Sequence, residues 1–155
     1  MNSKITLLVL FLAIISTAAF AQEKTKKQKQ IEELVNSKTF VFNATKAFPK
    51  DMKPVYLTNS YMQFSPDQIE SHLQYSDMAY SGVRFGSEAG MKFEGKPEEF
   101  TVTKGKKNYS IHAVVKGNNE TYNLSLSVSS GGTSSLFITS NNQSYISYSG
   151  DITAP

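Results

Sequence analysis

The chain has no cysteine, two histidines and a single arginine among its 155 residues. Without cysteine there is no disulfide framework and no lipid-modified cysteine, so an ordinary apolar core must hold the fold together. His72 and His112 stand forty positions apart, and no HxH or HExxH cluster accompanies them. Metal catalysis therefore lacks its usual ligand spacing, and no metal or other cofactor is expected. GxGxxG, GxxxxGK[ST] and GxSxG are also missing, which removes the common phosphate-cradling loops and the nucleophile elbow of serine hydrolases.

Long apolar runs are scarce too. The one that stands out, Ile5 to Ile15, follows Lys4 and ends in Ala19-Phe20-Ala21. A charged start, a short apolar stretch and small residues make a cleavable secretory signal, with the cut expected between Ala21 and Gln22. A membrane anchor is the competing reading, but the run falls short of the roughly 20 residues that span a bilayer. Residues 22–155 are then one soluble, exported domain, periplasmic or extracellular, with no stable membrane anchor.

Charge of either sign is thin in most of this domain. The formal net charge is +3, and Lys4 leaves with the signal. Lys24, Lys26, Lys27, Lys29 and Lys38 outnumber Glu23, Glu32 and Glu33, whereas residues 39–155 carry ten basic and ten acidic groups. The basic character thus belongs to an N-terminal arm. Sequence alone gives the body no basic face, and nucleic acid is not expected as a partner. The lysine run reads as a solvated helix face or a frayed terminus, with weak attraction to anionic surfaces as its functional alternative.

What is present is a change of period. Ile31, Leu34 and Val35 recur at helical spacing, predicting a short helix from about Lys27 to Asn36, stopped by Asn36 and Ser37. From Thr39 the period is two. TFVFNATKAF and VYLTNSYMQF read as strands separated by a Pro-bearing turn. SPDQIESHL fits either a brief helix opened by Ser65-Pro66 or a further strand towards Tyr75. Irregular, glycine-bearing sequence follows, with short strands expected near Gly82–Phe85 and Met91–Glu94. From Glu98, KGKK and KGNN join three strands, SSGG and NNQ join two more, and Tyr109, Ile111, Ala113 and Val115 form one inward face. Tyr122, Leu124, Leu126 and Val128 form the next. The fold class is mainly β: an antiparallel meander of seven or eight strands, as a partly closed barrel or a two-layer sandwich, with a short N-terminal helix. Its outer faces carry Ser, Thr and Asn with few charges and few aromatics near the C-terminus. So little charge protects poorly against edge pairing, so the sheet is expected to close or cover its edges.

The residues with chemical potential are few. Arg84, set among glycines and aromatics, could anchor an anion through its planar guanidinium, with Tyr75 and Tyr80 as amphipathic companions. These three are the candidate ligand-binding residues. His112 is expected to be exposed on an outer sheet face, and His72 to lie on a surface helix or turn. Asp77, Glu88, Glu94, Glu98 and Glu99 are loop carboxylates of the kind any soluble domain carries. No catalytic residue is predicted.

Several runs together resemble a known family: FVFNATKAFP, LQYSDMAYSGVRF, YSIHAVVKGNNETYNLSLSV, SSLFITSNNQ and ISYSGDI, in that order from about Ile31 to Ile152. They are similar to the exported Bacteroidetes family known as the domain of unknown function DUF4251. The resemblance implies an envelope location and a mostly antiparallel β domain after a short helix, and it implies no activity. The family's Leu-Pro-Tyr-Phe-Gly run is replaced here by Leu73, Gln74, Tyr75, Ser76 and Asp77.

The functional expectation is a non-catalytic binding or accessory protein of the cell envelope, its partner a small molecule, a glycan or an envelope protein. A structural protein pairing through a sheet edge and an envelope hydrolase are the alternatives. A hydrolase needs converging carboxylates or a paired histidine.

Overall fold

The computed structural model describes residues 25–49, 53–74, 90–117, 120–141 and 145–155. An α-helix (α1, residues 25–37) is followed by nine strands. These are β1 (Phe40–Pro49), β2 (Val55–Phe64), β3 (Ile69–Gln74), β4 (Gly90–Gly95), β5 (Pro97–Lys104), β6 (Asn108–Lys116), β7 (Thr121–Ser129), β8 (Thr133–Ser140) and β9 (Ile146–Thr153). All pairings are antiparallel, in the order β4-β3-β2-β1-β9-β8-β7-β6-β5, and the sheet curls into a nearly closed barrel. The sandwich alternative is thereby set aside, and the strand count exceeds the expected seven or eight by at least one.

Two local readings resolve. Residues 66–68 form no helix: Ser65 N–H donates to the Gln68 carbonyl at 2.9 Å, and Gln68 N–H donates to Ser65 Oγ at 3.0 Å. This side-chain-locked turn satisfies the backbone groups that a helix would have used, and β3 begins directly after it. The helix stop lies at Lys38, which takes φ 56° and donates its N–H to the Val35 carbonyl at 3.1 Å. Asn36 and Ser37 remain within the helix.

The seam of the barrel lies between β4 and β5, which are separated only by Lys96. They run in one direction as a single bent path, its first half paired with β3 and its second half with β6. Pro97, which has no N–H to give a ladder, sits at the change of partner. Gly95 permits the close approach there: a Cβ would fall 2.4 Å from the Lys116 carbonyl oxygen. Phe93 of β4 stacks on Tyr122 of β7 with ring centroids 3.9 Å apart, closing one end of the seam. On the β5 edge that no described strand pairs, the Lys38 ammonium donates to the Phe100 carbonyl. The low-charge sheet is thus brought to near-closure by bending one strand across two partners.

The period-two code fills the interior. Phe40, Phe42, Met62, Phe64, Ile69, Leu73, Leu124, Leu126, Leu136 and Ile138 are fully buried, and Ile31 and Val35 of α1 close the end beneath them. Each such side chain contributes about 1.5–3 kcal/mol through removal from water. The buried serines bond to backbone: Ser60 Oγ accepts from Gln74 N–H at 2.9 Å, and Ser134 Oγ donates to the Gly132 carbonyl at 2.7 Å. Ser71 Oγ likewise donates to the Met91 carbonyl. Among the described residues, no helix is long and apolar enough to cross a membrane.

Candidate functional site

The candidate ligand residues Tyr75, Tyr80 and Arg84 lie outside the described residues, as do Ala21, Gln22, Asp77, Glu88 and the strand expected near Gly82–Phe85. The described chemistry is therefore on the barrel wall.

His112 is exposed on the outer face of β6, as its register between Ile111 and Ala113 requires. His72 is on β3 rather than on a helix or turn, because Ser65 and Gln68 lock the turn before it. Its Nε2 lies 2.6 Å from Glu70 Oε1, and its ring packs on Tyr61 with centroids 4.9 Å apart. Glu70 is directly opposite Glu94 across the β3–β4 ladder, and Gln68 Nε2 donates to Glu94 Oε2 at 3.3 Å. A histidine paired to a carboxylate is what the hydrolase reading asked for. The pair is, however, open to water on an outer sheet face, where a charge interaction is screened. Glu98 pairs with Lys116 at 2.8 Å, raising the Lys116 ammonium pKa by hydrogen bonding and charge, and so serves a local ion pair. Among the described residues no three His, Asp or Glu side chains are grouped to hold a metal.

The barrel interior offers no better chemistry. Its described lining is almost wholly apolar, whereas ligand pockets combine apolar walls with a few convergent polar groups.

The outer face of β2, β1, β9 and β8 is different. Because Leu136 and Ile138 point inward, Phe137 between them must point out, and it is exposed. Phe48 and Phe137 both lie opposite Ser147 of β9, one strand to either side. Two inter-strand spacings put them about 10 Å apart. Phe137 stacks on the exposed Tyr145 with centroids 5.3 Å apart. On the other flank the Lys46 ammonium stands over the Tyr56 ring at 4.5 Å and near the Phe48 ring at 5.9 Å. Tyr56 is 81% exposed, far more than a ring retained for packing needs.

These two aromatic pairs border a field of hydroxyls. Lys46, Ser149, Ser135, Ser127, Ser110 and Thr103 are aligned across six strands in one continuous register. The neighbouring row runs from Phe48 through Ser147, Phe137, Ser125 and His112 to Thr101. The expectation of few aromatics on the C-terminal outer face is corrected at this point by Phe137 and Tyr145. Their outward phase was visible in SSLFITS and SYISYS, but nothing in the sequence showed that β1 would bring Phe48 beside them.

Comparison with known proteins agrees with this fold. A search of curated proteins finds no match. Among solved structures, the chain is similar to a crystal structure of a DUF4251 family protein from Bacteroides eggerthii, at 12% identity and a TM-score of 0.67. The alignment covers 83% of this chain and 87% of that one, and at such identity it shows the fold alone. The profile of the domain of unknown function DUF4251 matches residues 22–152, nearly everything beyond the N-terminal apolar run. The chain belongs to the DUF4251 family.

Proposed function

We propose that this protein is an exported, non-catalytic binding protein of the bacterial cell envelope that holds an extended saccharide on the outside of its barrel. The observation that carries the reading is the pair of exposed aromatic clusters, Phe48 with Tyr56 and Phe137 with Tyr145, set on one curved outer face rich in hydroxyls. Sugar rings present apolar C–H faces that stack on aromatic rings, and hydroxyl edges that exchange hydrogen bonds with serine and threonine. Strand positions about 10 Å apart suit separated units of an extended chain better than one small molecule. Lys46 adds a cation beside the Phe48 and Tyr56 rings, which suits a neutral or weakly acidic polymer. The cleavable signal pattern at residues 1–21 supports export, and the family resemblance is consistent with an envelope location.

Titration of the chain lacking residues 1–21 with soluble envelope and dietary polysaccharide fragments, followed by calorimetry, tests this. Binding should weaken at least about tenfold in F137A and in Y56A, since a stacked ring contributes on the order of 1.4 kcal/mol or more. Binding that both variants retain in full would refute the site. A hydrolase reading takes its support from the His72–Glu70 pair alone, and release of reducing ends that disappears in H72A would establish it instead.

A further inference from the structure

Two lysine-rich stretches that are far apart in sequence meet at one end of the barrel. Lys26, Lys27 and Lys29 are exposed on α1, and Lys104 at the end of β5 and Lys106 and Lys107 in the β5–β6 turn are exposed too. Glu32 of the helix pairs with Lys104, joining the stretches directly. The turn is held in place by Ser130 N–H donating to the Lys107 carbonyl at 3.2 Å. The helix is seated by Ile31 against Gly132, where an added Cβ would lie 2.9 Å from Ile31 Cδ1. Once Glu32 and Lys104 neutralise one another, five lysines remain on these two stretches, against Glu33 on the helix and the exposed Asp151 beside Ile152 at the end of β9. Residues 39–155 are neutral as a whole, so it is the fold that adds Lys106 and Lys107 to the basic arm.

The same end holds a groove of about 560 Å³ between α1 and the end of β9, whose apolar lining is Ile31, Leu34, Ile152 and Ala154 and whose polar lining includes Lys27 and Glu33. We infer that this end of the barrel docks reversibly on the anionic headgroups of a phospholipid bilayer, with the groove accepting part of an acyl chain. A lysine cluster near an anionic bilayer gains attraction from each added cation, and that attraction decays within a Debye length. An apolar groove beside the cations has a use at a lipid surface and none against a nucleic acid, whose backbone is charged throughout. Seating at this end leaves Phe48 and Tyr56 near the far ends of β1 and β2, and Tyr145 just before β9, away from the bilayer. The inference is independent of the saccharide reading.

The test uses the chain lacking residues 1–21, which contains every described element, and vesicles of phosphatidylcholine with or without about one-third phosphatidylglycerol, in about 0.05 M salt. Co-sedimentation should occur with the anionic vesicles only and be abolished in about 0.5 M salt. The paired changes K106E/K107E and K26E/K27E should each weaken it by at least about tenfold, with unchanged circular dichroism and melting temperature. L34S should weaken vesicle binding while leaving adsorption to a soluble polyanion such as polyphosphate unchanged. Failure to bind anionic vesicles would overturn the inference, as would variants that bind like the parent. Equal affinity for polyphosphate or single-stranded DNA at matched charge would overturn it in favour of a general polyanion surface.

Discussion

Gly150 of β9 passes so close to Asn43 of β1 that a Cβ at position 150 would stand 1.9 Å from the Asn43 carbonyl oxygen. The contact coincides with an irregularity in β1, where the register to both β2 and β9 shifts between Ala44 and Lys46. On the β2 side the extra residues include Asn59 at φ 53°, a conformation asparagine tolerates better than most residues. The barrel thus turns a corner where β9 must carry no side chain.

G150A should therefore destabilise the domain by about 3 kcal/mol, because the clash is with backbone that cannot rotate away. Urea denaturation would show a lower midpoint at unchanged slope. A midpoint within experimental scatter of the parent would mean that the β1 irregularity relaxes freely.

Lys38 answers two demands at once. It takes the left-handed conformation that ends α1, usually given to glycine, and its ammonium donates to the Phe100 carbonyl on the edge of β5 away from β6. K38M keeps the backbone strain and loses the donor, which should cost about 1–3 kcal/mol. K38G loses the same donor but relieves about 1 kcal/mol of strain, so it should fall between K38M and the parent. Equilibrium unfolding that ranks K38G above the parent would show that the edge bond contributes less than the strain.

The Glu32–Lys104 pair makes a pH-dependent contribution. Hydrogen bonding to Lys104 holds the Glu32 carboxyl below its ordinary 4.5, and the same bond raises the Lys104 ammonium above 10.5. A depressed carboxyl pKa stabilises the fold above the ordinary value, and that stability is lost as pH falls through the lowered one. A raised ammonium pKa stabilises below the ordinary value, and that stability is lost as pH rises through the raised one. The melting-temperature difference between the parent and E32Q should be flat between these limits and shrink beyond both. It should be small throughout, because the pair is exposed to solvent. A difference that peaks outside the window would assign the effect to other groups.

The strands were legible to different degrees. β2 runs from Val55 to Phe64 as its alternation predicts, and β6 and β7 present the inward residues read from them, with Tyr122 only partly buried. β3 remained ambiguous because a Ser-Pro opening suits a helix cap as well as a turn. The choice is made by Ser65 and Gln68 bonding to each other, and by the β2 and β4 edges on either side of Ile69–Gln74. The chemistry proposed for Tyr75, Tyr80 and Arg84 lies outside the described residues, and the described candidate surface came from residues treated as ordinary strand positions.

Period and composition determined by themselves that this chain is a short helix followed by antiparallel strands, because which face a side chain takes along a strand depends only on whether its position is odd or even. Only the tertiary structure decided that the sheet closes at Lys96, that Phe48 and Phe137 flank the same serine, and that α1 and the β5–β6 turn share one basic end. Those facts depend on which strands become neighbours, and neighbours are chosen by packing summed over the whole barrel, where residues a hundred positions apart compete for the same contact.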